Sequence, residues 1–475
     1  MTSRFKRPVT PVRILLASAW PALSLAVTAC VSGGAIDVRV PTVASSNVSV
    51  SVHDERGSLD PKRAAAVVRK LDASGEAGLL ALHLREVESA ISEPLTLGND
   101  ARLLIDGPQT QAAMLRAVAE AHHSVELETY ILEPAGMGDR LAALLAAKRA
   151  DGVTVRVLYD SIGSLSTPSA YFERLRAAGI EVCEFNPVSP SRLQSDSRLS
   201  INNRDHRKLL IVDNQVAFTG GINISGVYSS SSFGRKSKTD VRESGWRDTQ
   251  VYVRGPVAGQ FRALFDTNWH SQHCGDEFGI PRTASESDAP RAGSMAVRLV
   301  AADPLAQRSE LYVALLSAVE LARHRVWLTY GYFAPDERLL RALRGAAQRG
   351  VDVRLMLPGF SDFWAPLYAG RAHYSALLDA GIRLFERRDA LLHAKTVVID
   401  GVWSSVGSTN LDWRSLVHNY EADLLVLDAR FAKEMEALFM LDESAAQEVL
   451  NSEWRQRGIG SRLLEWLARR WEYFL

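Results

Sequence analysis

The sequence predicts an α/β protein that contains two similar domains. Its 475 residues are enough for two domains of ordinary size, and its 47% hydrophobic and 23% charged content is typical of a globular chain. Two blocks, residues 124–185 and 325–385, show the same order of strand, helix, strand, helix and strand. Because strands that alternate with helices of this length favour α/β domains, the repeat predicts a duplicated fold.

The elements of each block are predicted from hydrophobic periodicity. In the first block we expect strands at 124–132, 152–159 and 179–185, with helices at 138–150 and up to 178. In the second block we expect strands at 325–330, 350–357 and 381–385, with helices at 335–349 and up to 380. A short polar motif with an apolar run follows each block, and it predicts one further strand.

The polar motif occurs twice with identical spacing. In each copy the lysine follows the histidine by two positions, the aspartate follows the lysine by five, and the asparagine follows the aspartate by ten. The residues are His206, Lys208, Asp213 and Asn223 in the first copy, and His393, Lys395, Asp400 and Asn410 in the second. A duplicated spacing at four polar positions predicts two halves of one catalytic site.

The spacing suits phosphate chemistry. Residues two apart on a strand project to the same face, so His206 and Lys208 are expected to point together, as are His393 and Lys395. These polar groups are costly on a buried strand unless an anion faces them, and a phosphate supplies that charge. Neutral imidazole can attack phosphorus, and protonated imidazole can donate a proton to the leaving oxygen. The two half-sites together predict a phosphodiester-cleaving site that requires no cofactor and no metal ion.

The motif resembles the signature of the phospholipase D superfamily, His-x-Lys-x4-Asp with a downstream Gly-Gly or Gly-Ser and Asn. Further segments are similar to the cardiolipin synthase branch, namely 203–213, 218–223, 246–248, 332–336 and 401–421. The resemblance covers about residues 100–475. It implies an α/β fold of two similar phospholipase D-type domains, each a mixed β-sheet flanked by helices, with one active site at their interface.

The resemblance also implies a role for each matching residue. His206 would form a covalent phosphatidyl-histidine, and His393 would act as general acid and base. Four side chains would bind the phosphate, namely Lys208, Lys395, Asn223 and Asn410. Asp213 and Asp400 would support the ends of their strands. Asp248 and Glu421 would hydrogen-bond the second ring nitrogen of the histidines and fix their tautomer.

We therefore expect a membrane-associated phosphatidyltransferase of cardiolipin synthase type that acts on phospholipids such as phosphatidylglycerol. A phospholipase D that releases phosphatidic acid is the alternative, because water and an alcohol use the same residues. A nuclease is disfavoured and no nucleic-acid partner is expected, since the 55 basic residues are balanced by 55 acidic residues.

The N-terminus resembles an export signal. Basic residues up to Arg13 precede an uncharged, mostly apolar stretch that ends at Cys30, in a sequence similar to the bacterial lipobox. This predicts an exported lipoprotein that is lipidated at Cys30 and held at a membrane of the cell envelope. Because residues 14–36 carry no charge, a single N-terminal transmembrane anchor is the alternative.

These features divide the chain into five predicted segments: a signal peptide at 1–30, a tether with a helical segment at 31–100, the first domain at 101–275, a linker at 276–295 and the second domain at 296–475. The first domain has the longer connections, including residues 225–245, which we expect to be solvated surface loops or a lid.

Two further segments have alternative interpretations. Cys183 and Cys274 can form a disulfide in an oxidising compartment, although the apolar neighbours of Cys183 favour a small buried residue. Residues 461–475 predict an amphipathic helix. We expect its leucines to close the core of the second domain, with a position on a membrane surface as the alternative.

Overall fold

The computed structural model describes residues 50–73, 79, 83, 84, 91–188, 202–233, 245–275, 289–304 and 308–470. The predicted signal peptide, Cys30 and most of the predicted linker lie outside the described residues. So do parts of both long connections of the first domain, at 189–201 and 234–244, and the last five residues of the chain.

The strands are numbered in chain order: β1 (Val52–Asp54), β2 (Gly57–Ser58), β3 (Leu95–Ile105), β4 (Ser124–Thr129), β5 (Thr154–Asp160), β6 (Glu181–Phe185), β7 (Arg204–Asp205), β8 (Lys208–Val212), β9 (Val216–Gly220), β10 (Thr249–Arg254), β11 (Met295–Asp303), β12 (Arg308–Ser309), β13 (Arg325–Tyr330), β14 (Asp352–Pro358), β15 (Arg383–Arg387), β16 (Lys395–Ile399), β17 (Trp403–Gly407), β18 (Asn419–Leu427) and β19 (Ala446–Glu448).

The helices are α1 (Pro61–Ala73), α2 (Asp106–Ala119), α3 (Met137–Ala150), α4 (Ser169–Ala177), α5 (Ala258–Ser271), α6 (Glu310–Leu321), α7 (Glu337–Gln348), α8 (Trp364–Arg371), α9 (Tyr374–Asp379), α10 (Trp413–Val417), α11 (Ala429–Ser444), α12 (Asn451–Trp454) and α13 (Ile459–Arg470), with a short 3₁₀ helix at Gly226–Tyr228. The helix predicted to end at 380 is thus two helices, α8 and α9.

Strand order shows that the fold is duplicated. Across the first half of the sheet the order is β6-β5-β4-β8-β9-β10-β3, and across the second half it is β15-β14-β13-β16-β17-β18-β11. In each half the first three strands are parallel and the later pairs are antiparallel, so both are mixed sheets. The antiparallel pairing of β3 with β11 joins them. The predicted α/β fold class is confirmed.

The two halves share an apolar core. One buried cluster combines Leu209 and Ile211 of β8 with Val398 of β16, and it includes Phe261 of α5 and Phe431 of α11. The two sheets therefore pack into one continuous core. The strands β8 and β16, which carry the two motif lysines, are buried at every residue, as expected for the middle of a covered sheet.

Cys183 on β6 and Cys274 just after α5 form a disulfide, with Cα atoms 5.9 Å apart. The favoured interpretation of Cys183 as merely a small buried residue is therefore wrong. The bond ties an edge strand of the first half to the residues just after α5, a helix that packs on β4, β8 and β9.

The C-terminal helix α13 contradicts the prediction that its leucines close a core. Leu463, Leu464 and Leu467 are exposed, whereas Glu465 and Ala468 on the same helix are buried. The apolar side chains face outward because the helix packs through its small and acidic residues. Trp471 and Phe474 lie outside the described residues. No helix in the described part of the chain combines the length and apolarity needed to span a membrane.

Candidate active site

Both motif lysines begin a strand, and both motif histidines lie two residues before it. Lys208 is the first residue of β8 and Lys395 the first residue of β16. The prediction that each histidine lies within the strand is wrong, because the histidine backbone turns to the other half. The amide of His206 donates to the carbonyl of Tyr420 at 2.9 Å, and the amide of His393 donates to the carbonyl of Arg247 at 2.8 Å.

Each histidine is hydrogen-bonded to a carboxylate from the opposite half. Nδ1 of His206 lies 3.0 Å from both oxygens of Glu421, and Nδ1 of His393 lies 2.7 Å from Oδ2 of Asp248. A carboxylate accepts the Nδ1 proton and so leaves the lone pair of a neutral imidazole on Nε2. The two predicted carboxylates thus reach the histidines of the other motif copy.

The small residues after each motif make room for these carboxylates. A Cβ atom on Gly221 would lie 2.1 Å from Oδ1 of Asp248, so a larger residue cannot occupy this position without displacing the carboxylate. At the corresponding place in the second half, the hydroxyl of Ser408 donates to Oε2 of Glu421 at 2.6 Å, and Nδ2 of Asn419 donates to Oε1 at 3.3 Å. The second residue of the Gly-Gly pair therefore leaves space for Asp248, and the second residue of the Gly-Ser pair hydrogen-bonds Glu421, so both pairs help to position the carboxylates that contact the histidines.

The motif lysines are buried behind their histidines. Nζ of Lys208 donates to the carbonyl of His206 at 2.5 Å, and Nζ of Lys395 donates to the carbonyl of His393. Burial lowers the pKa of Lys208 to about 7, although the Glu421 carboxylate opposes that shift. Burial also lowers the pKa of Lys395, against the opposing charge of Asp248. Burial therefore outweighs the nearby carboxylates and disfavours the charged form of both lysines.

The electrostatic surroundings of the two histidines differ. Burial, followed by the charges of Lys208 and Lys395, puts the pKa of His206 well below its usual value. Burial and Lys395 also lower the pKa of His393, but Asp248 opposes this through its charge and hydrogen bond. Although burial acts to raise it, the pKa of Asp248 is held below its usual value by His393 and Lys395. Burial raises the pKa of Glu421 despite the charge of Lys208. The second histidine therefore has the more strongly ionised partner.

A cavity of about 440 Å³ brings both halves of the site together. Both histidines and both predicted asparagines line it, and the other lining residues are Tyr130, Ile131, Arg204, Trp246, Tyr332, Asp362, Phe363, Pro366, Asp412, Arg414, Ser415 and Asn419. Oδ1 of Asn223 accepts from the amide of Ile131 at 3.2 Å, which leaves its amide donors for other partners. Oδ1 of Asn410 is buried and has no hydrogen-bond partner among the described residues.

Asp213 and Asp400 lie at the far ends of their strands and support the chain instead of lining the cavity. Asp213 accepts from the amides of residues 122, 123 and 124 at 2.8, 2.6 and 2.8 Å. Asp400 accepts from the amides of residues 323, 324 and 325 at 2.9, 2.8 and 3.0 Å. Each carboxylate therefore holds the start of the neighbouring strand, β4 or β13, beside the strand that carries the lysine.

Sequence reasoning did not single out several residues near the histidines. The hydroxyl of Tyr228 lies 3.3 Å from Nδ1 of His393, and the Tyr332 ring meets the His393 ring edge-on with centroids 5.9 Å apart. Asp412 and Arg414 lie within the segment 401–421 that carried the family resemblance, so a signal for them was present. No group of three or more His, Cys, Asp and Glu residues in the described ranges is arranged to bind a metal ion.

Comparisons with known proteins agree with this geometry. The family described as "Cardiolipin synthase, PLD-like domain" matches residues 114–267 and 315–442, which contain both motif copies. A cardiolipin synthase of Geobacillus thermodenitrificans is 32% identical over 379 residues, which cover 79% of this chain and 72% of the relative. A cardiolipin synthase A of Pseudomonas fluorescens is 35% identical over 363 residues, covering 76% and 72%.

A solved structure shares the fold. The phosphatidylserine synthase of Haemophilus influenzae superposes with a TM-score of 0.59 and 13% identity, over 79% of this chain and 95% of that one. The family match and the relatives together assign the chain to a family, and the shared fold agrees with that assignment. The chain belongs to the cardiolipin synthase-like branch of the phospholipase D superfamily and is a phospholipid phosphatidyltransferase.

Proposed function

We propose that the protein is a cardiolipin synthase-type enzyme that transfers a phosphatidyl group from one phospholipid to a hydroxyl group of another, through a covalent phosphohistidine. The observation that carries the proposal is the pair of histidines on one cavity, each hydrogen-bonded through Nδ1 to a buried carboxylate of the other half. That bond directs Nε2 of one ring to act as a nucleophile and Nε2 of the other to carry a proton.

The reaction proceeds in two balanced steps. Nε2 of neutral His206 attacks phosphorus, the bond from phosphorus to the leaving alcohol oxygen breaks, and protonated His393 donates its proton to that oxygen. His393 then removes a proton from the acceptor hydroxyl, whose oxygen attacks phosphorus and breaks the phosphorus–nitrogen bond. One phosphodiester replaces another, so the exchange needs no external energy source.

The electrostatic difference between the histidines supports this assignment. The depressed pKa of His206, caused by burial and by Lys208 and Lys395, keeps its ring neutral and nucleophilic. Burial and Lys395 lower the pKa of His393 as well, but Asp248, whose own pKa lies below its usual value, opposes that shift and favours the imidazolium form of this ring. These two environments favour His206 for attack and His393 for proton transfer.

The buried cations and amides favour a phosphate in the cavity. Lys208 and Lys395 would neutralise its oxygens, and Asn223 and Asn410 would donate hydrogen bonds. We propose phosphatidylglycerol as donor and acceptor because its headgroup offers a free hydroxyl beside the phosphodiester. Water in place of that hydroxyl would give phosphatidic acid.

We also propose that the chain is an exported lipoprotein attached through Cys30, with a transmembrane anchor as the alternative. The Cys183–Cys274 disulfide supports an oxidising compartment outside the cytoplasm. Labelling with radioactive palmitate tests the attachment, and the label is expected to disappear in Cys30→Ser.

The activity is tested by incubating the purified protein with phosphatidylglycerol and resolving the products. We expect cardiolipin and free glycerol, and phosphatidic acid as the main product would contradict the transferase. His206→Ala and His393→Ala should each abolish turnover, while His122→Ala, an exposed control outside the cavity, should leave it unchanged. Rapid denaturation of the wild type in alkaline detergent, in which a phosphorus–nitrogen bond survives, should trap a label from phosphate-labelled donor on His206. A label that persists in His206→Ala would contradict the assigned nucleophile.

A further inference from the structure

An apolar face on the C-terminal helix α13 is exposed. Four side chains lie along it at positions i, i+4, i+7 and i+8, and they are Ile459, Leu463, Trp466 and Leu467. Their exposed fractions are 85%, 55%, 53% and 40%. A continuous apolar stripe of this kind on one helix marks a surface that meets a partner.

The outward orientation of this face is fixed by contacts on the opposite side of the helix. Ala468 packs in a buried cluster with Ala365 and Ala369 of α8. Glu465 is 4% exposed, and Arg457 donates to its two oxygens at 2.9 and 2.8 Å. The helix is therefore held by an alanine contact and a bidentate ion pair, and its larger apolar side chains are left outside.

Helix α8, against which α13 packs through Ala468, connects this helix with the active-site cavity. Helix α8 begins at Trp364, which is 54% exposed, and the preceding Phe363 is 48% exposed. Phe363 and Pro366 also line the cavity that contains the two histidines. We name the exposed side chains of α13 together with Phe363 and Trp364 the docking surface.

Cations border the docking surface. Residues 455–470 contain five arginines; Arg457 is paired with Glu465 and Arg455 with Asp379. Arg462, Arg469 and Arg470 remain as a basic border without an acidic partner among the described ion pairs, whereas the whole chain has no net charge. The guanidinium of Arg470 lies 4.7 Å from the centroid of the Trp466 ring. A tryptophan and leucines flanked by arginines match the boundary between acyl chains and anionic headgroups.

We propose that the docking surface binds an anionic phospholipid bilayer and seats the mouth of the active-site cavity against the lipid headgroups. The basic border distinguishes this partner from a second protein copy, which would bring the same arginines into contact with themselves. Binding of lipid by this surface does not depend on the proposed function. Only the effect of that binding on turnover rests on it.

Docking is measured on the full chain reconstituted in vesicles of equal parts phosphatidylglycerol and phosphatidylcholine. An environment-sensitive fluorescent amino acid replaces Leu463, or Met440 on α11, which is 47% exposed and serves as the control. We expect a blue-shifted emission that brominated lipid quenches at position 463 and neither change at position 440. Emission at 463 that is the same with and without vesicles would overturn the proposal. So would emission already blue-shifted in lipid-free protein, since it would indicate a second copy or another segment of the chain on this surface.

The functional arm uses Leu463→Glu/Leu467→Glu, matched by Met440→Glu/Leu441→Glu at two exposed positions away from the surface. The first variant should lower turnover of vesicle-borne phosphatidylglycerol at least five-fold and leave turnover of dissolved short-chain phosphatidylglycerol unchanged. The control variant should match the wild type with both substrates. Unchanged vesicle turnover in the first variant would contradict the docking surface. Absence of turnover in the wild type would instead contradict the proposed function, while the fluorescence would still decide the docking.

Discussion

Asp248 and His393 meet across 145 residues of sequence, with 2.7 Å between Oδ2 and Nδ1, although they belong to different halves of the chain. Glu421 and His206 make the reciprocal contact over 215 residues. Each half therefore supplies one imidazole and the carboxylate that hydrogen-bonds the imidazole of the other half. Loss of either carboxylate should affect the chemistry of the opposite motif.

Asp248→Asn should lower kcat for cardiolipin formation by about 10² to 10⁴, with a much smaller change in KM. The amide keeps the shape of the side chain but removes the charge that favours protonated His393. Steady-state kinetics measures the effect, and Asp139→Asn, on the exposed side of α3, is the control. A kcat within three-fold of the wild type would contradict the role of Asp248, with the fold of each variant checked by circular dichroism.

Gly221→Ala should impair the same step without touching either motif. The added Cβ would lie 2.1 Å from Oδ1 of Asp248, so the carboxylate must move away from His393. We expect kcat to fall by about ten-fold or more, in keeping with a displaced catalytic partner. The matched control is Gly226→Ala, whose Cβ would meet its nearest atom at an ordinary 3.5 Å. Equal activity in the two variants would show that the close contact is unimportant.

The pH dependence of kcat/KM should contain a falling limb from Lys208. Its pKa in the free enzyme is lowered by burial to about 7, so raising the pH through about 7 removes the charge that we propose to bind phosphate. In Lys208→Arg the side chain stays charged throughout, and this limb should disappear even if the rate is lower. Lys148→Arg, remote from the cavity on α3, is the control. A limb that persists unchanged in Lys208→Arg would assign it to another group.

Asp400→Asn should reduce stability more than it reduces chemistry. Asp400 accepts three backbone amides, and losing the charged acceptor should cost about 1–3 kcal/mol in the free energy of unfolding. Although burial opposes it, the His83 ring, 3.5 Å from Oδ2, and those amides lower the pKa of Asp400 to about 2. A depressed carboxylate pKa gives stability that is present at neutral pH and lost as the pH falls from about 4 towards about 2. Urea unfolding should therefore show the variant and wild type converging at acidic pH, and a constant difference would contradict this origin.

The Cys183–Cys274 bond closes a segment of 91 residues that contains His206 and Asp248. Removing a crosslink of this length should lower the free energy of unfolding by about 2–5 kcal/mol. Thermal unfolding of Cys183→Ala/Cys274→Ala should show a lower Tm that reductant does not change, whereas the Tm of the wild type should fall on reduction. A wild-type Tm that is insensitive to reductant, with free thiols detected, would indicate that the bond does not form.

The sequence predicted which residues form the site better than it predicted which of them contact each other. The repeated motif pointed to both histidines and both lysines because its spacing is visible in the local sequence. The two carboxylates, Asp248 and Glu421, came from the family resemblance. The sequence did not reveal that Asp248 reaches His393 and that Glu421 reaches His206, since such long-range pairing leaves no local pattern. The position of each histidine before its strand also depends on backbone bonds to Tyr420 and Arg247 in the other half.

The C-terminal helix shows a second limit of prediction. Hydrophobic periodicity correctly indicated one apolar face on α13, and a soluble helix usually buries such a face. The direction of the face was decided by tertiary contacts of Ala468 and by the ion pair of Glu465 with Arg457, which no periodicity encodes. For Cys183 the sequence likewise allowed either a disulfide or a small buried residue, because it does not show that Cys183 on β6 lies beside Cys274 after α5.

Each half provides the carboxylate that hydrogen-bonds the histidine of the other half, and this reciprocal arrangement has a consequence for the evolutionary origin of the protein. A single ancestral half would hold a histidine without its orienting acid, and an acid without its histidine, so it would be inactive alone. Two identical halves related by a twofold axis would complete both pairs at once, because each would give its partner what it lacks. Fusion of two gene copies would then have freed the equivalent positions to diverge. The aspartate beside one histidine and the glutamate beside the other are the differences that such divergence would leave.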